Sequence, residues 1–479
     1  MFARRGLHGA AGVLACVLAL QGTARAADAP RLADEARSGN RAAVLDLLAR
    51  HADVNQPGVD GTPALHWAVY HDDLDLAARL VAAKANVNAM NRYGVPPLAL
   101  ACTNGSAAMV SLLLDAGADA KAAASGEPVL LTAARTGSAA AVEALIARGA
   151  EVNATESLRG QTALMWAAVE NQTDVARLLI AKGADVRAKS KAGYAPLMFA
   201  AREGHVEMAR LLLDAGAEIN QAAPNGATVL RMAVDGLQYA TAMFLLEQGA
   251  DPNVLNKQGE TALHSAIRGR APTRRKRPVD EQQSVALVKR LLASGANPNV
   301  RTPKAPKITD EKVASSLRPA IDNVLNLGGA TPFLLAAQAS DLTAMRLLMD
   351  AGADPRLPTY ENGTTLMIAA GVGFVEGREK VRSEEEALAA VRMLADSGVD
   401  VNAVSETGQT ALHGAVYRAN NAIIEFLVNA GARTDVKDEL GRTPLVLAEQ
   451  GFNQVSSVIR REGAAALLRR LSAPQQSAR

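Results

Sequence analysis

Seven histidines and two cysteines are the side chains of this 479-residue chain best suited to metal or nucleophilic chemistry. Their spacing points away from both. His66, His264 and His413 recur inside one short phrase, and no Cys, Asp or Glu stands around them at metal-ligand spacing, so no metal centre is expected. Cys102 follows Leu98 at the offset by which Ala168 follows Leu164, a small-residue packing position. A reactive thiol needs exposure and an electropositive setting, and neither is indicated. The chain holds no His-Glu-x-x-His of zinc proteases, no Gly-rich phosphate loop, no nucleophile elbow and no haem-attaching Cys pair. Neither catalysis nor a bound cofactor is therefore expected.

The elements that must position these residues come from a repeat. The phrase Thr261-Ala262-Leu263-His264-Ser265-Ala266 has close copies at Pro63-Ala64-Leu65-His66-Trp67-Ala68, Thr162-Ala163-Leu164-Met165-Trp166-Ala167 and Thr410-Ala411-Leu412-His413-Gly414-Ala415. Its leucine recurs at 65, 98, 130, 164, 197, 230 and 263, then as Phe333, then at 366, 412 and 445, mostly in steps of about 33 residues. A second series closes each unit, where a Leu-rich run stops at Gly117, Gly149, Gly183, Gly216, Gly249, Gly295, Gly352, Gly398 and Gly431. Between the two marks there is room for two helices of roughly 8–10 residues. Thr or Pro opens the first, suited to a first helical turn, and glycine caps the second. An apolar content of 49% with only 3% aromatics favours closely packed helices over a strand-rich core.

With eleven openings in phase, the Thr-Pro-Leu-His-x-Ala phrase, the Gly204-His205-Val206-Glu207 start of a second helix and the Gly249-Ala250-Asp251-Pro252-Asn253 close together resemble the ankyrin repeat. The resemblance implies an all-α ankyrin-repeat solenoid of about twelve helix-turn-helix units joined by short loops and β-turns. It spans residues 27–471, with units opening near 30, 61, 94, 126, 160, 193, 226, 259, 329, 362, 408 and 441. The incomplete first unit and the Arg-rich last helix are expected caps, and residues 472–479 are expected to be a disordered tail. The resemblance also implies that His66, His264, His413 and His205 are structural imidazoles hydrogen-bonded near helix starts.

Two units are long. From marker leucine to closing glycine the usual distance is 19 residues, but it is 32 in the units opening at Leu263 and Leu366. Both carry 13 extra residues, near 270–283 and 371–386, and a further 24 lengthen the connection near 301–327. The first insertion holds the basic run Arg274-Arg275-Lys276-Arg277. It reads either as a solvated loop or, with the other insertions, as a docking edge.

Residues 1–26 differ from all that follows. Arg4 and Arg5 precede an apolar stretch at 10–20, and Ala24-Arg25-Ala26 supplies small residues before Ala27, the layout of a secretory signal peptide cut after Ala26. An uncleaved anchor and lipidation at Cys16 are the alternatives. A periplasmic or secreted protein is expected. Cleavage moves the formal charge from +2 to −1, a balance with no global attraction to nucleic acid or anionic lipid. No later segment reaches the roughly 20 apolar residues of a membrane span. Only Cys102 then remains, so packing and not a disulfide must hold the fold.

The resemblance implies a protein partner, bound by a concave groove and by loop tips. Carried over unit by unit, those positions are Tyr70 and His71; Arg92, Tyr93 and Val95; Arg135; Leu158, Arg159 and Glu170; Tyr194, Arg202 and Glu203; Lys257 and Arg268; Tyr360 and Glu361; Tyr417 and Arg418. Tyr and Arg dominate binding hot spots. Trp67 and Trp166 are expected to be half-buried. A monomer is expected. Two other readings are a tethering spacer of the cell envelope without a discrete ligand and a protective or inhibitory partner of an exported enzyme.

Overall fold

A computed structural model describes residues 31–271, 279–304, 326–373, 383–454 and 457–472. The leader at 1–26, the basic run 274–277, most of 301–327, the middle of 371–386 and the tail after Ser472 lie outside the described residues. Two units divide at Leu158 and Arg159. Among the described residues the first holds four helix pairs: α1 (Leu32–Arg37) with α2 (Arg41–Ala49), α3 (Ala64–Tyr70) with α4 (Leu74–Ala82), α5 (Pro97–Asn104) with α6 (Ala107–Asp115), and α7 (Val129–Thr136) with α8 (Ala139–Ala147).

Among the described residues the second unit holds eight pairs. They are α9 (Ala163–Val169) and α10 (Thr173–Ala181), α11 (Pro196–Glu203) and α12 (Val206–Asp214), α13 (Val229–Asp235) and α14 (Tyr239–Glu247), and α15 (Ala262–Arg270) and α16 (Glu281–Ala293). Then follow α17 (Pro332–Gln338) and α18 (Leu342–Asp350), α19 (Thr365–Ala370) and α20 (Glu384–Asp396), α21 (Ala411–Arg418) and α22 (Asn421–Asn429), and α23 (Pro444–Gln450) and α24 (Glu462–Ser472). Among the described residues strand is confined to two small hairpins, β1 (Ala123–Ala124) with β2 (Glu127–Pro128) and β3 (Phe452–Gln454) with β4 (Ser457–Ile459). Each unit is a stretch of helical solenoid, in which every pair packs on the next.

Local chemistry accounts for the helix limits. Thr162, Thr228, Thr261, Thr331, Thr364 and Thr443 sit at N-caps, and each hydroxyl accepts from the N–H three residues on. That satisfies a donor the helix cannot. The second helices stop as Gly216 shows. Its φ of +90° lets its N–H reach the Leu213 carbonyl and the Ala217 N–H reach the Leu212 carbonyl, both at 2.9 Å. An L side chain would be strained in that conformation. The first helices are Ala-rich because they are walled in on both sides: Ala167, Ala168, Ala200, Ala201, Ala336 and Ala337 are all fully buried.

The asparagine of the closing phrase ties unit to unit. Asn88 Nδ2 donates to the Gly117 carbonyl at 3.0 Å while its Oδ1 accepts from Asp119 N at 2.8 Å. Asn253 does the same to Gly295 and Asn297, and Asn402 to Gly431 and Arg433. Asn299 does so across the long connection, donating to the Gly352 carbonyl at 2.9 Å and accepting from Asp354 N at 2.8 Å. The extra chain therefore leaves the ladder between units unbroken.

The two enlarged units spend part of their extra length on helix. Both α16 and α20 have 13 residues where an ordinary second helix such as α12 has 9, one additional turn each. Arg270 fastens the first enlargement. Its guanidinium donates to both carboxylate oxygens of Asp341 at 2.7 and 3.1 Å, to Ser284 Oγ at 2.6 Å and to Glu281 Oε1 at 2.6 Å. Every contact is charge-assisted, and both Arg270 and Asp341 are buried. At the second enlargement α19 and α21 touch through glycine: a Cβ at Gly371 would sit 2.3 Å from the Gly414 carbonyl oxygen.

Candidate partner-binding surface

The four imidazoles singled out by the repeat are structural. His264 Nδ1 meets the hydroxyl of Thr261 at 2.8 Å and accepts from its N–H at 3.2 Å, while Nε2 faces the Ala330 carbonyl of the next pair. His413 repeats the arrangement with Thr410 and the Arg442 carbonyl. His66 bonds the Val95 carbonyl at 2.9 Å, but Pro63 stands at its N-cap, where no hydroxyl is offered. Burial holds His66 and His264 at about 4 and also lowers His413, so all three are neutral at pH 7. His205 bonds the Val169 carbonyl at 3.0 Å. Cys102 is fully buried, which pushes its thiol up to about 12. Among the described residues, no three His, Cys, Asp or Glu side chains converge as a metal site.

In the first unit, the residues after the opening phrase form an aromatic cluster. Tyr70 meets Trp67 edge-on at 5.7 Å and His71 at 5.2 Å, and Arg37 lies over the Trp67 ring at 5.6 Å. Arg37 also pairs with Asp60 at 3.7 Å, and its carbonyl is 3.2 Å from His71 Nε2. Trp67 is 7% exposed, more deeply buried than its expected half-burial, because Arg37 and Tyr70 cover it. Tyr70 remains 39% exposed. On the neighbouring loop tip Arg92 stacks over Tyr93 at 4.7 Å and donates to its hydroxyl, with Tyr93 also 39% exposed. Val95 is buried instead of reaching outward, since its backbone is fastened to Asn91 and to His66. Arg135 is half-buried and pairs with Glu127 at 3.5 Å, while Leu158 is exposed.

In the second unit Arg159, Glu170, Arg202, Glu203, Lys257 and Arg268 are exposed. Tyr194 is half-buried, edge-on to Phe199 at 6.2 Å, and its hydroxyl accepts from Asn225 Nδ2 at 3.1 Å. Arg202 lies over the Phe199 ring, 5.3 Å from its centroid, and pairs with Glu203 at 2.7 Å. Arg268 reaches Glu260 at 2.6 Å, which Arg231 holds at 2.9 Å. Burial opposes the Glu260 charge, but the two guanidiniums outweigh it and keep the carboxyl below its ordinary range. Tyr360, 38% exposed, lies under Arg301 at 4.3 Å, and Arg301 also donates to the Pro358 carbonyl at 2.6 Å. Glu361 accepts from Asn326 Nδ2.

Tyr417 and Arg418 are corrections to the expected surface. Tyr417 is 1% exposed: its ring meets Phe452 edge-on at 4.7 Å, and its hydroxyl accepts from Gln409 Nε2 at 3.2 Å. Arg418 is turned inward to the Ala369 carbonyl at 3.1 Å. Sequence reasoning in turn missed Phe199, Arg231, Glu260 and Arg301, which stand outside the groove and loop-tip positions; Phe199 follows Leu197 by two residues, the register of Trp67 and Trp166, a spacing that could have found it.

Family models described as Ankyrin repeats (3 copies) match residues 32–124, 130–223 and 381–464, more than half of the chain. Models described as Ankyrin repeats (many copies) and Ankyrin repeat match residues 237–272 and 258–303. The ankyrin repeat protein YahD of Escherichia coli (strain K12) is 29% identical over 139 residues, covering 28% of this chain and 63% of its own length. Human Ankyrin repeat and SOCS box protein 16 is 29% identical over 157 residues, 27% of this chain and 35% of that protein. The chain spans less than two thirds of the length of the curated relatives it matches. Among solved structures, the human ASB11 ankyrin repeat domain is 28% identical with a TM-score of 0.42, covering 47% of this chain and 100% of that one.

Proposed function

This chain belongs to the ankyrin-repeat family, and from that premise we propose that it is an exported protein that captures a protein ligand with its groove and loop tips. Ankyrin repeats generally mediate protein–protein interaction and are typically not enzymes. The observation that carries the reading is a set of arginine–aromatic stacks that include or adjoin those positions: Arg92 on Tyr93, Arg202 on Phe199 and Arg301 on Tyr360, with Arg37 on Trp67 beside Tyr70 and His71. Each stack fixes two rotamer-rich side chains before a partner arrives, so little ordering entropy opposes association. The N-terminal pattern of Arg4, Arg5, the apolar stretch and Ala24-Arg25-Ala26 supports export.

Affinity capture from cell-envelope extract with the wild type and with Tyr93→Ala, Arg92→Ala and Arg202→Ala tests the binding role. A binding module loses its captured protein in these variants while its melting temperature holds. A spacer behaves alike in all four. N-terminal sequencing of the exported protein checks the leader, with Ala27 as the expected first residue.

A further inference from the structure

We propose that the second helices α18 and α20 carry a further docking site, sharing no residue with the groove and loop-tip set, for an acidic amphipathic helix of a partner protein. Between them the surface sinks into a trough of about 830 Å³. Leu342 and Met349 of α18 and Met393 of α20 supply apolar surface along it, and methionine adapts its shape to what it meets. The trough follows α18 from Leu342 to Met349, a little under two turns or about 10 Å at the rise of a helix. Walls made of two helices suit a third helix lying in the groove between them, with apolar anchors at i, i+4 and i+7.

Charge decides which helix fits. Arg346, Arg356 and Arg392 line the trough against one carboxylate, Asp396. Asp354 neutralises Arg356 at 3.0 Å, which leaves Arg346 and Arg392 as the acting cations. Neither makes an ion pair among the described residues, and Arg392 is held over the Phe426 ring at 5.5 Å. The two also belong to a row, because the position six residues before the closing glycine is Arg177, Arg210, Lys289, Arg346 and Arg392 in five of these second helices. Around the trough the basic run is Lys289, Arg346 and Arg392 on the consecutive second helices α16, α18 and α20, bounded by Met243 on α14 and Glu425 on α22, and such a local patch of one sign steers an oppositely charged partner toward it. Glutamates flanking an apolar stripe would meet Arg346 and Arg392 while the stripe covers the methionines.

The probe is a labelled peptide of about 14 residues, roughly four helical turns, built of Glu and Leu with the leucines at i, i+4, i+7 and i+11; its control carries Lys in place of Glu. Fluorescence anisotropy with the full chain at low salt is expected to show binding of the Glu peptide alone. R346E/R392E is expected to weaken it about tenfold or more, and R346Q/R392Q by less. Tyr93→Ala keeps full affinity, because Tyr93 does not line the trough. Equal affinity for the charge-reversed variant, equal binding of the Lys peptide, or no binding by the wild type overturns the proposal. All three altered side chains are solvent-facing, and a melting curve confirms that each variant is folded.

Discussion

Tyr70 and Tyr417 stand five residues after the marker leucines Leu65 and Leu412, at one register position of the repeat. Tyr70 is 39% exposed and Tyr417 is 1% exposed. The helices that carry them start alike, so the difference lies in what comes next. Beside Tyr417, the chain after α23 turns back as β3, places Phe452 against the ring and sends Arg461 to the Tyr417 carbonyl at 3.1 Å. Among the described residues Tyr70 has only Trp67 and His71 of its own helix end as ring neighbours. The preceding imidazoles differ in parallel: His413 has the Thr410 hydroxyl, whereas His66 faces Pro63. A repeat position therefore specifies backbone and direction, and the neighbouring chain decides whether the side chain becomes core or surface.

The contrast can be broken most severely at the tyrosines. Tyr417→Ala removes a fully enclosed ring and is expected to cost about 3–5 kcal/mol. Tyr70→Ala, which loses the edge-on contact to Trp67 and uncovers part of that ring, should cost about 0.5–1.5 kcal/mol. Urea denaturation of the two variants compares them directly, and equal losses would erase the distinction.

Acid is expected to act next. The buried imidazoles titrate lower in the folded chain than unfolded, so between pH 6.5 and 4 the unfolded chain binds more protons and stability falls as pH drops. The loss levels off below pH 4 and reaches roughly 3 kcal/mol for each of His66 and His264. Unfolding free energies across that window, compared with those of His264→Gln, should show a shallower slope in the variant.

A finer test sets His413→Ala against His66→Ala. The first also strips the imidazole from Thr410, and should cost about 1 kcal/mol more, the worth of the additional hydrogen bonding. The smallest effect runs the other way: Pro63→Thr supplies the missing N-cap hydroxyl and is expected to stabilise by about 0.5–1 kcal/mol, read as a shift in denaturation midpoint. No shift would mean that His66 gains nothing from a hydroxyl.

Much of this molecule was legible in its sequence, because the repeat writes local chemistry at fixed spacing. Threonines at N-caps, glycines past the second helices, small residues such as Cys102 where helices meet, and the matched excess in the units opening at Leu263 and Leu366 are all relations within about one unit, where helix geometry leaves few alternatives. The exposed tips at Tyr93 and Arg202 follow from the same logic. Tertiary structure alone decided the burial of Tyr417, the inward turn of Arg418, the clasp of Arg270 on Asp341, the cation of Arg301 on Tyr360 and the trough between α18 and α20. Arg270 and Asp341 are 71 residues apart, and Arg301 and Tyr360 are 59 apart, separations that cross unit boundaries and inserted chain. Spacing can say which way a side chain leaves its own helix. Only the stacking of neighbouring pairs determines what it meets there.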